Sequence, residues 1–180
     1  RTGERRRVSA RRGINGAPAW SPDGNRLALT LSGSGGNLDV YVLELASQAL
    51  TRLTDDPGID TEPVWAPDGS AIYFTSDRSG GPQVYRVAPT AGDRPKRLTF
   101  TGGYNARPRL SPDGTQLAYV TLDGGGYKVA IQDVATGAGR VLSKGRFDES
   151  PSFAPNGATL IYAGRDRGQG ALATVSADGL

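Results

Sequence analysis

Apolar residues fall in short runs parted by clusters of Gly, Pro, Asp, Asn and Ser, and none of the runs keeps helical spacing. The runs at 26–31, 71–75, 116–120 and 159–163 are alternating or wholly apolar, which predicts strands covered on both faces. Ahead of each stands a turn signal: Ser21-Pro22-Asp23-Gly24, Ala66-Pro67-Asp68-Gly69, Ser111-Pro112-Asp113-Gly114 and Ala154-Pro155-Asn156-Gly157. In such a segment Pro presets φ, Asp or Asn bonds nearby backbone and Gly takes a positive φ, so a hairpin joins the flanking strands. Gly-rich turns at 32–37, 77–82, 123–126 and 165–170 follow, then third strands at 40–42, 84–87, 129–131 and 172–175. With no helix after them and no Lys-Ser/Thr attached, these glycines read as hairpin turns and not as a phosphate loop.

The signals form one repeat. Pro18-Ala19-Trp20-Ser21-Pro22-Asp23-Gly24 returns from Pro63, Pro108 and Pro151, at steps of 45, 45 and 43. A second marker, Arg7-Val8-Ser9, recurs in phase as Arg52-Leu53-Thr54, Arg97-Leu98-Thr99 and, more loosely, Arg140-Val141-Leu142-Ser143, where a fourth strand belongs. Units of four short antiparallel strands, each sheet covered by its neighbours around a channel, are β-propeller blades. The fold class is therefore all-β, a propeller region over 1–180 with about four blades near 13–57, 58–102, 103–146 and 147–180, preceded by a fourth strand within 1–12. Since the chain opens on a fourth strand (5–10) and stops after a third (171–176), four whole blades require the N-terminal strand to complete the last sheet. An unclosed ring exposes two sheet faces and favours self-association. Trp20, Trp65, Leu110 and Phe153 share one position of the repeat, which marks them as packing residues.

Composition narrows the chemistry. The chain has no His and no Cys, which excludes an imidazole base, the usual serine-triad relay, a thiol nucleophile, disulfides and thiolate metal sites. A carboxylate or Lys mechanism is left, but no motif assembles one, so no catalytic residue is expected. No apolar run approaches the ~18 residues of a membrane span. With no Met, the chain is expected to be a processed or excised piece. The net charge of +3 comes from one end: Arg1, Arg5, Arg6, Arg7, Arg11 and Arg12 against Glu4. The remaining residues are slightly acidic, and without interleaved aromatics the arginines predict a solvated edge and no nucleic-acid partner.

Several longer strings resemble the C-terminal propeller of the TolB family, the periplasmic component of the Tol-Pal system. They are Asn15-Gly16-Ala17-Pro18-Ala19-Trp20-Ser21-Pro22-Asp23-Gly24, Thr61-Glu62-Pro63-Val64-Trp65, Phe74-Thr75-Ser76-Asp77 with Gly81-Pro82-Gln83-Val84-Tyr85, and Asp148-Glu149-Ser150-Pro151-Ser152-Phe153-Ala154-Pro155-Asn156-Gly157. The resemblance covers essentially the whole chain in order. It implies a Gram-negative periplasmic protein whose propeller binds the peptidoglycan-associated lipoprotein Pal, supporting outer-membrane integrity and constriction at division, and which colicins exploit for import. It also implies a six-bladed ring after an α/β domain that engages TolA. This chain holds four blades' worth of sequence and no such domain, so TolA is expected as a partner only through a segment not present here.

By position, the resemblance places the Pal-facing surface at the loops before each first strand: Asn15 and Ala17; Asp60, Thr61 and Glu62; Tyr104, Asn105 and Arg107; Phe147, Asp148 and Glu149. Ile14 stands where the family often has a polar residue. Converging loops form a ring, so Asp60, Glu62, Asp148 and Glu149 would give one mouth an acidic sector with Arg107 as its basic counterpoint, giving a partner specificity and association rate. The alternative for each carboxylate is a turn cap or a solvated charge. An acidic sector would suit a channel Ca²⁺, yet no loop carries ligand spacing, and no cofactor is expected. Asp77 and Asp166 beside Arg78 and Arg167 read as turn residues with exposed ion pairs. Two other readings stay open: the propeller lid of a prolyl-oligopeptidase-type serine peptidase, and an engineered self-assembling blade array. The peptidase's hydrolase domain would need Gly-x-Ser-x-Gly and a His, and neither occurs.

Overall fold

The computed structural model describes residues 3, 5, 7–33 and 36–179; Arg1, Glu4 and Arg6 of the arginine cluster, and Ser34 and Gly35 of the first Gly-rich turn, lie outside the described residues. Four antiparallel sheets follow one another along the chain. The first holds β1 (Asn15–Trp20), β2 (Arg26–Ser32), β3 (Leu38–Glu44) and β4 (Leu50–Arg52). The second holds β5 (Asp60–Trp65), β6 (Ile72–Ser76), β7 (Gln83–Val87) and β8 (Lys96–Arg97). The third holds β9 (Asn105–Leu110), β10 (Gln116–Asp123), β11 (Gly126–Asp133) and β12 (Gly139–Val141), and the fourth β13 (Glu149–Phe153), β14 (Thr159–Asp166) and β15 (Gln169–Ser176). Strands pair in chain order within every sheet. The first strands touch in succession, β1 with β5, β5 with β9 and β9 with β13, so they line the inner edge while β4, β8 and β12 lie at the outer edge.

Both sequence markers have a structural reason. In the turn, the Gly24 N–H donates to the Ser21 carbonyl (2.9 Å), and Gly24, Gly69, Gly114 and Gly157 all sit at φ near 70°, a region that suits Gly. In the second marker, the buried hydroxyls of Thr54, Thr99 and Ser143 each accept the N–H of a third-strand valine, Val40, Val84 or Val129, at 2.9 Å. This bond satisfies a backbone donor where the fourth strand leaves the sheet.

The core is built mostly between blades, with one cluster, Leu27, Leu29, Leu31 and Leu43, inside the first. Ala28, Val40 and Val42 pack on Trp65, Ile72, Phe74 and Tyr85; Tyr73 and Val84 on Leu117 and Tyr119; Val129, Ile131 and Leu142 on Leu160, with Phe153 and Val175 against them. Trp65 is buried and its indole N–H donates to the Ala19 carbonyl of the preceding blade (3.2 Å), whereas Trp20 is 64% exposed. The packing role expected for this position therefore holds for Trp65, which has a preceding blade among the described residues, and Trp20 has no such blade beside it there.

Of the fourth strand expected over 5–10, residue 6 lies outside the described residues and residues 5 and 7–10 are not in a strand; among the described residues the last sheet ends at β15 with three strands. Hydrogen bonds direct the segment elsewhere. The Ser9 hydroxyl and the Arg11 N–H both donate to Asn15 Oδ1 (2.7 and 3.1 Å), tying it to the start of the first blade. Among the described residues the sheets do not close into a ring, and Ile161 and Leu172 (75% exposed) show on the fourth blade.

Candidate functional site

A β-bulge recurs in each first strand. On β5, three steps from Thr61 to Val64 face two steps from Thr75 to Tyr73 on β6, and the same mismatch lies between Gly16 and Ala19, between Ala106 and Arg109, and between Glu149 and Ser152. The extra residue accommodates the proline of the repeat, which cannot donate to a ladder. It also leaves the residue before each proline in the left-handed region: Ala17 (φ 44°), Glu62 (55°), Arg107 (58°) and Ser150 (56°). No glycine fills these positions, so every blade bears about 1–3 kcal/mol of backbone strain at its bulge.

Three of these positions come together with Glu149. Arg107 Nε lies 3.4 Å from Glu62 Oε1, and Arg107 Nη1 bonds Glu149 Oε2 and reaches the Ser150 hydroxyl at 3.3 Å. The Arg107 N–H donates to Glu62 Oε2 (3.1 Å) and the Thr75 hydroxyl donates to the same oxygen (3.0 Å). Blades two, three and four are thus linked across the mouth by one carboxylate–guanidinium–carboxylate chain. Burial would pull the Arg107 guanidinium down, but Glu149 and Glu62 outweigh it and hold its pKa above the ordinary value. All three groups keep access to solvent, with side chains 32–52% exposed.

Aromatic rings stand beside this chain. Tyr104 meets Tyr127 edge to face, with centroids 5.2 Å apart, and Arg165 lies over the exposed Phe147 ring at 4.7 Å. Burial, reinforced by Tyr127, pushes the Tyr104 hydroxyl's pKa up. A depression of about 220 Å³ opens between Ile59, Thr61, Glu62, Tyr104 and Arg107, and a neighbouring one of about 240 Å³ is lined by Tyr104, Arg107, Val120, Tyr127 and Glu149. A larger hollow, about 660 Å³, lies away from the mouth beside Arg11, Leu31 and Tyr41.

The residues singled out from the sequence separate into two sets. Glu62, Tyr104, Arg107, Phe147 and Glu149 reach the surface of the mouth; Thr61 lines it and lies 3.5 Å from the Thr30 hydroxyl of the first blade; Ala17 contributes only a methyl group. Asp60, Asn105 and Asp148 are turned inward, at 0%, 1% and 3% exposure. Asp60 pairs with Arg78 (2.6 Å), Asn105 donates to Gln83 Oε1 and the Thr101 carbonyl, and Asp148 accepts the Gly145 N–H. Asn15 does the same at the surface, donating to the Arg11 carbonyl (2.7 Å). This column holds the incoming loop in place, so the acidic sector at the mouth contracts to Glu62 and Glu149.

Arg78, expected to form an exposed pair with Asp77, reaches Asp60 instead and lies over the Tyr85 ring at 5.0 Å, while Asp77 Oδ1 accepts the Ile59 N–H (2.7 Å). Tyr127, Ser150 and Thr75 were not singled out. Ser150 was within reach, because it follows Ala17, Glu62 and Arg107 at the repeat's own steps; Tyr127 begins a third strand, and only the fold brings it to the mouth. Among the described residues no three carboxylates gather closely enough to hold a metal ion, and no helix is long and apolar enough to cross a membrane.

The sequence matches the TolB beta propeller domain over residues 1–180. It is similar to the Tol-Pal system protein TolB of Ruthia magnifica, 60% identical over 164 residues, which is 91% of this chain and 38% of that protein. It is also similar to the TolB of Methylobacillus flagellatus, 63% identical over 57 residues, 32% of this chain and 13% of that protein. The crystal structure of TolB from Acinetobacter baumannii superposes with a TM-score of 0.88 at 46% identity, covering 99% of this chain and 44% of that one. A Mycobacterium tuberculosis puromycin-hydrolyzing peptidase, at 20% identity and a TM-score of 0.77 over 97% of this chain and 29% of that one, shares the fold alone. The chain therefore spans less than half the length of these three TolB proteins. On a match that runs its whole length, the chain belongs to the TolB β-propeller family.

Proposed function

We propose that this propeller is a non-catalytic binding module of the Tol-Pal system, acting in the Gram-negative periplasm, and that it takes the lipoprotein Pal at the mouth built by Glu62, Arg107 and Glu149. The observation that carries this reading is the left-handed bulge position shared by four successive blades, from three of which the side chains of Glu62, Arg107 and Ser150 meet. Conserving strain of that kind in every repeat suits a surface whose side chains must converge on a partner. Tyr104, Tyr127 and Phe147 supply aromatic anchors beside Arg107, the residue types that dominate protein interfaces. Thr61 and Glu62 are the central contacts; Asn15, Asp60, Asn105 and Asp148 serve by holding the loops. Support for outer-membrane integrity and for constriction at division would follow from Pal binding, and colicins would compete for the same mouth.

The test is a calorimetric titration of the chain with the soluble domain of Pal. Saturable binding is expected, weakened at least tenfold by Glu62→Ala, about 1.4 kcal/mol or more. A folded, monodisperse chain that binds no Pal, or binds it equally with Glu62→Ala, overturns the assignment of the mouth.

A further inference from the structure

At each blade junction, the residue preceding the third-strand valine stands beside the loop-holding column of the next blade. At the junction of blades two and three these are Gln83 and Asn105, a complementary amide pair in which Asn105 Nδ2 donates to Gln83 Oε1 at 2.9 Å. The Thr99 hydroxyl donates to the same Gln83 oxygen at 2.8 Å. At the junction of blades three and four the corresponding residues are Lys128 and Asp148, which bond elsewhere: Lys128 Nζ lies 2.7 Å from Asp123 Oδ2, and Asp148 Oδ2 accepts the Gly145 N–H. At the junction of blades one and two they are Asp39 and Asp60, two carboxylates, each at 0% exposure.

Each aspartate has a guanidinium on one oxygen: Asp39 Oδ2 lies 2.7 Å from Arg52 Nη2, and Asp60 Oδ2 2.6 Å from Arg78 Nη2. The other oxygens lack a strong donor. Among the described residues, Asp39 Oδ1 has only the Thr54 hydroxyl at 3.4 Å, and Asp60 Oδ1 is buried with no hydrogen-bond partner. Asp60 Oδ1 occupies the column position from which Asn105 presents its amide N–H, so an acceptor stands where the next blade has a donor, on a first strand packed against Asp39's strand. Two buried like charges cannot both be left in that arrangement without a large cost.

We propose that Asp39 carries a proton and donates it to Asp60 Oδ1, so that a carboxyl–carboxylate bond closes the first blade junction and positions Thr61 and Glu62. Burial pushes the Asp39 carboxyl's pKa up against the pull of Arg52, and the charges of Asp60 and Asp55 act in the same upward direction. Among the described residues, the charged groups set against the pair are Arg52 on β4, Asp55 just after it, and Arg78 after β6. From β2, Leu31 stands opposite Asp39 and brings no charge; Asp56 and Asp77 turn their carboxylates to the N–H groups of Gly58 and Ile59. Three carboxylates on Asp39, Asp55 and Asp60 against the guanidinium groups of Arg52 and Arg78 leave one excess negative charge, which one proton cancels. This deepens the proposed function by naming what holds its central loop, and it rests on that reading only for the role of Thr61 and Glu62.

An acid whose pKa is raised on folding stabilises the fold fully below its unfolded value, near 3.8, and loses that contribution as pH rises through the folded value. The unfolding midpoint in urea and the infrared carbonyl band of carbon-13-labelled aspartic acid, measured on the chain from about pH 5 to about pH 8 with a chelator present, test this. The expected result is a band of protonated carboxyl at neutral pH that shifts in heavy water and is absent from Asp39→Asn and from Asp60→Asn, each of which restores an amide donor. The folding equilibrium constant of the unsubstituted chain should fall with rising pH, about tenfold for each unit by which the Asp39 pKa is raised, and both variants should lack that fall. Absence of the band in the unsubstituted chain overturns the proposal even if neither variant folds. Stabilisation by added Ca²⁺, reversed by the chelator and lost in both variants, also overturns it, by putting a cation where the proton is placed. No arm uses Pal, so a mouth that fails to bind leaves the result intact, and a binding mouth without the band removes the proton alone.

Discussion

At the residue scale, the bulge position governs what the mouth presents. Ala17, at φ 44°, bears the same backbone strain as Glu62 and Arg107 but offers no charge in return. Replacing it with glycine should therefore relieve strain without loss of an interaction. Ala17→Gly is expected to raise stability by about 0.5–1 kcal/mol, after the extra chain entropy of glycine is set against the relief, read as a higher urea midpoint. A lower midpoint would mean that the methyl group's packing matters more than its backbone. The sequence shows which residues occupy this column but not its conformation, because residues preceding proline ordinarily avoid the helical regions. Residue type also misled at Asp60 and Asp148. Both are charged and stand next to convincing surface residues, yet the bulge that turns Glu62 outward leaves its neighbour inside the junction.

At the element scale, the blade is stable only through its neighbours. Its strands are short, as few as two residues in β8, and its apolar faces are covered across three junctions, with one further cluster of Leu27, Leu29, Leu31 and Leu43 inside the first sheet. Trp65 and Trp20 make the contrast measurable, since they hold one repeat position with and without a preceding blade among the described residues. Trp65→Ala is expected to cost about 3–5 kcal/mol, while Trp20→Ala should cost much less, in urea unfolding of the chain. Equal costs would show that the first blade packs its tryptophan in solution. Strand order and the turn positions were legible in the repeat, because hairpin chemistry and period-2 burial are local. The N-terminal strand was not: Arg7-Val8-Ser9 carries the fourth-strand marker, but pairing needs a sheet edge, and the hydrogen bonds to Asn15 hold the segment at the first blade.

At the scale of the whole molecule, four blades form an arc whose inner edge brings three of them into one polar chain. Glu62, Arg107 and Glu149 lie far apart in sequence, and only the regular step between blades makes them neighbours. That convergence was legible from the period alone. What the period could not tell is that Arg107 bridges both carboxylates instead of standing opposite them, or that Tyr127 joins from a third strand. The most direct test of the mouth as a partner surface is amide hydrogen exchange on the chain with and without the soluble domain of Pal. Protection confined to segments 60–62, 104–107, 127 and 147–150 is the result this account predicts. Protection at the outer strands β4, β8 and β12 instead, with the mouth unchanged at saturating Pal, would contradict it.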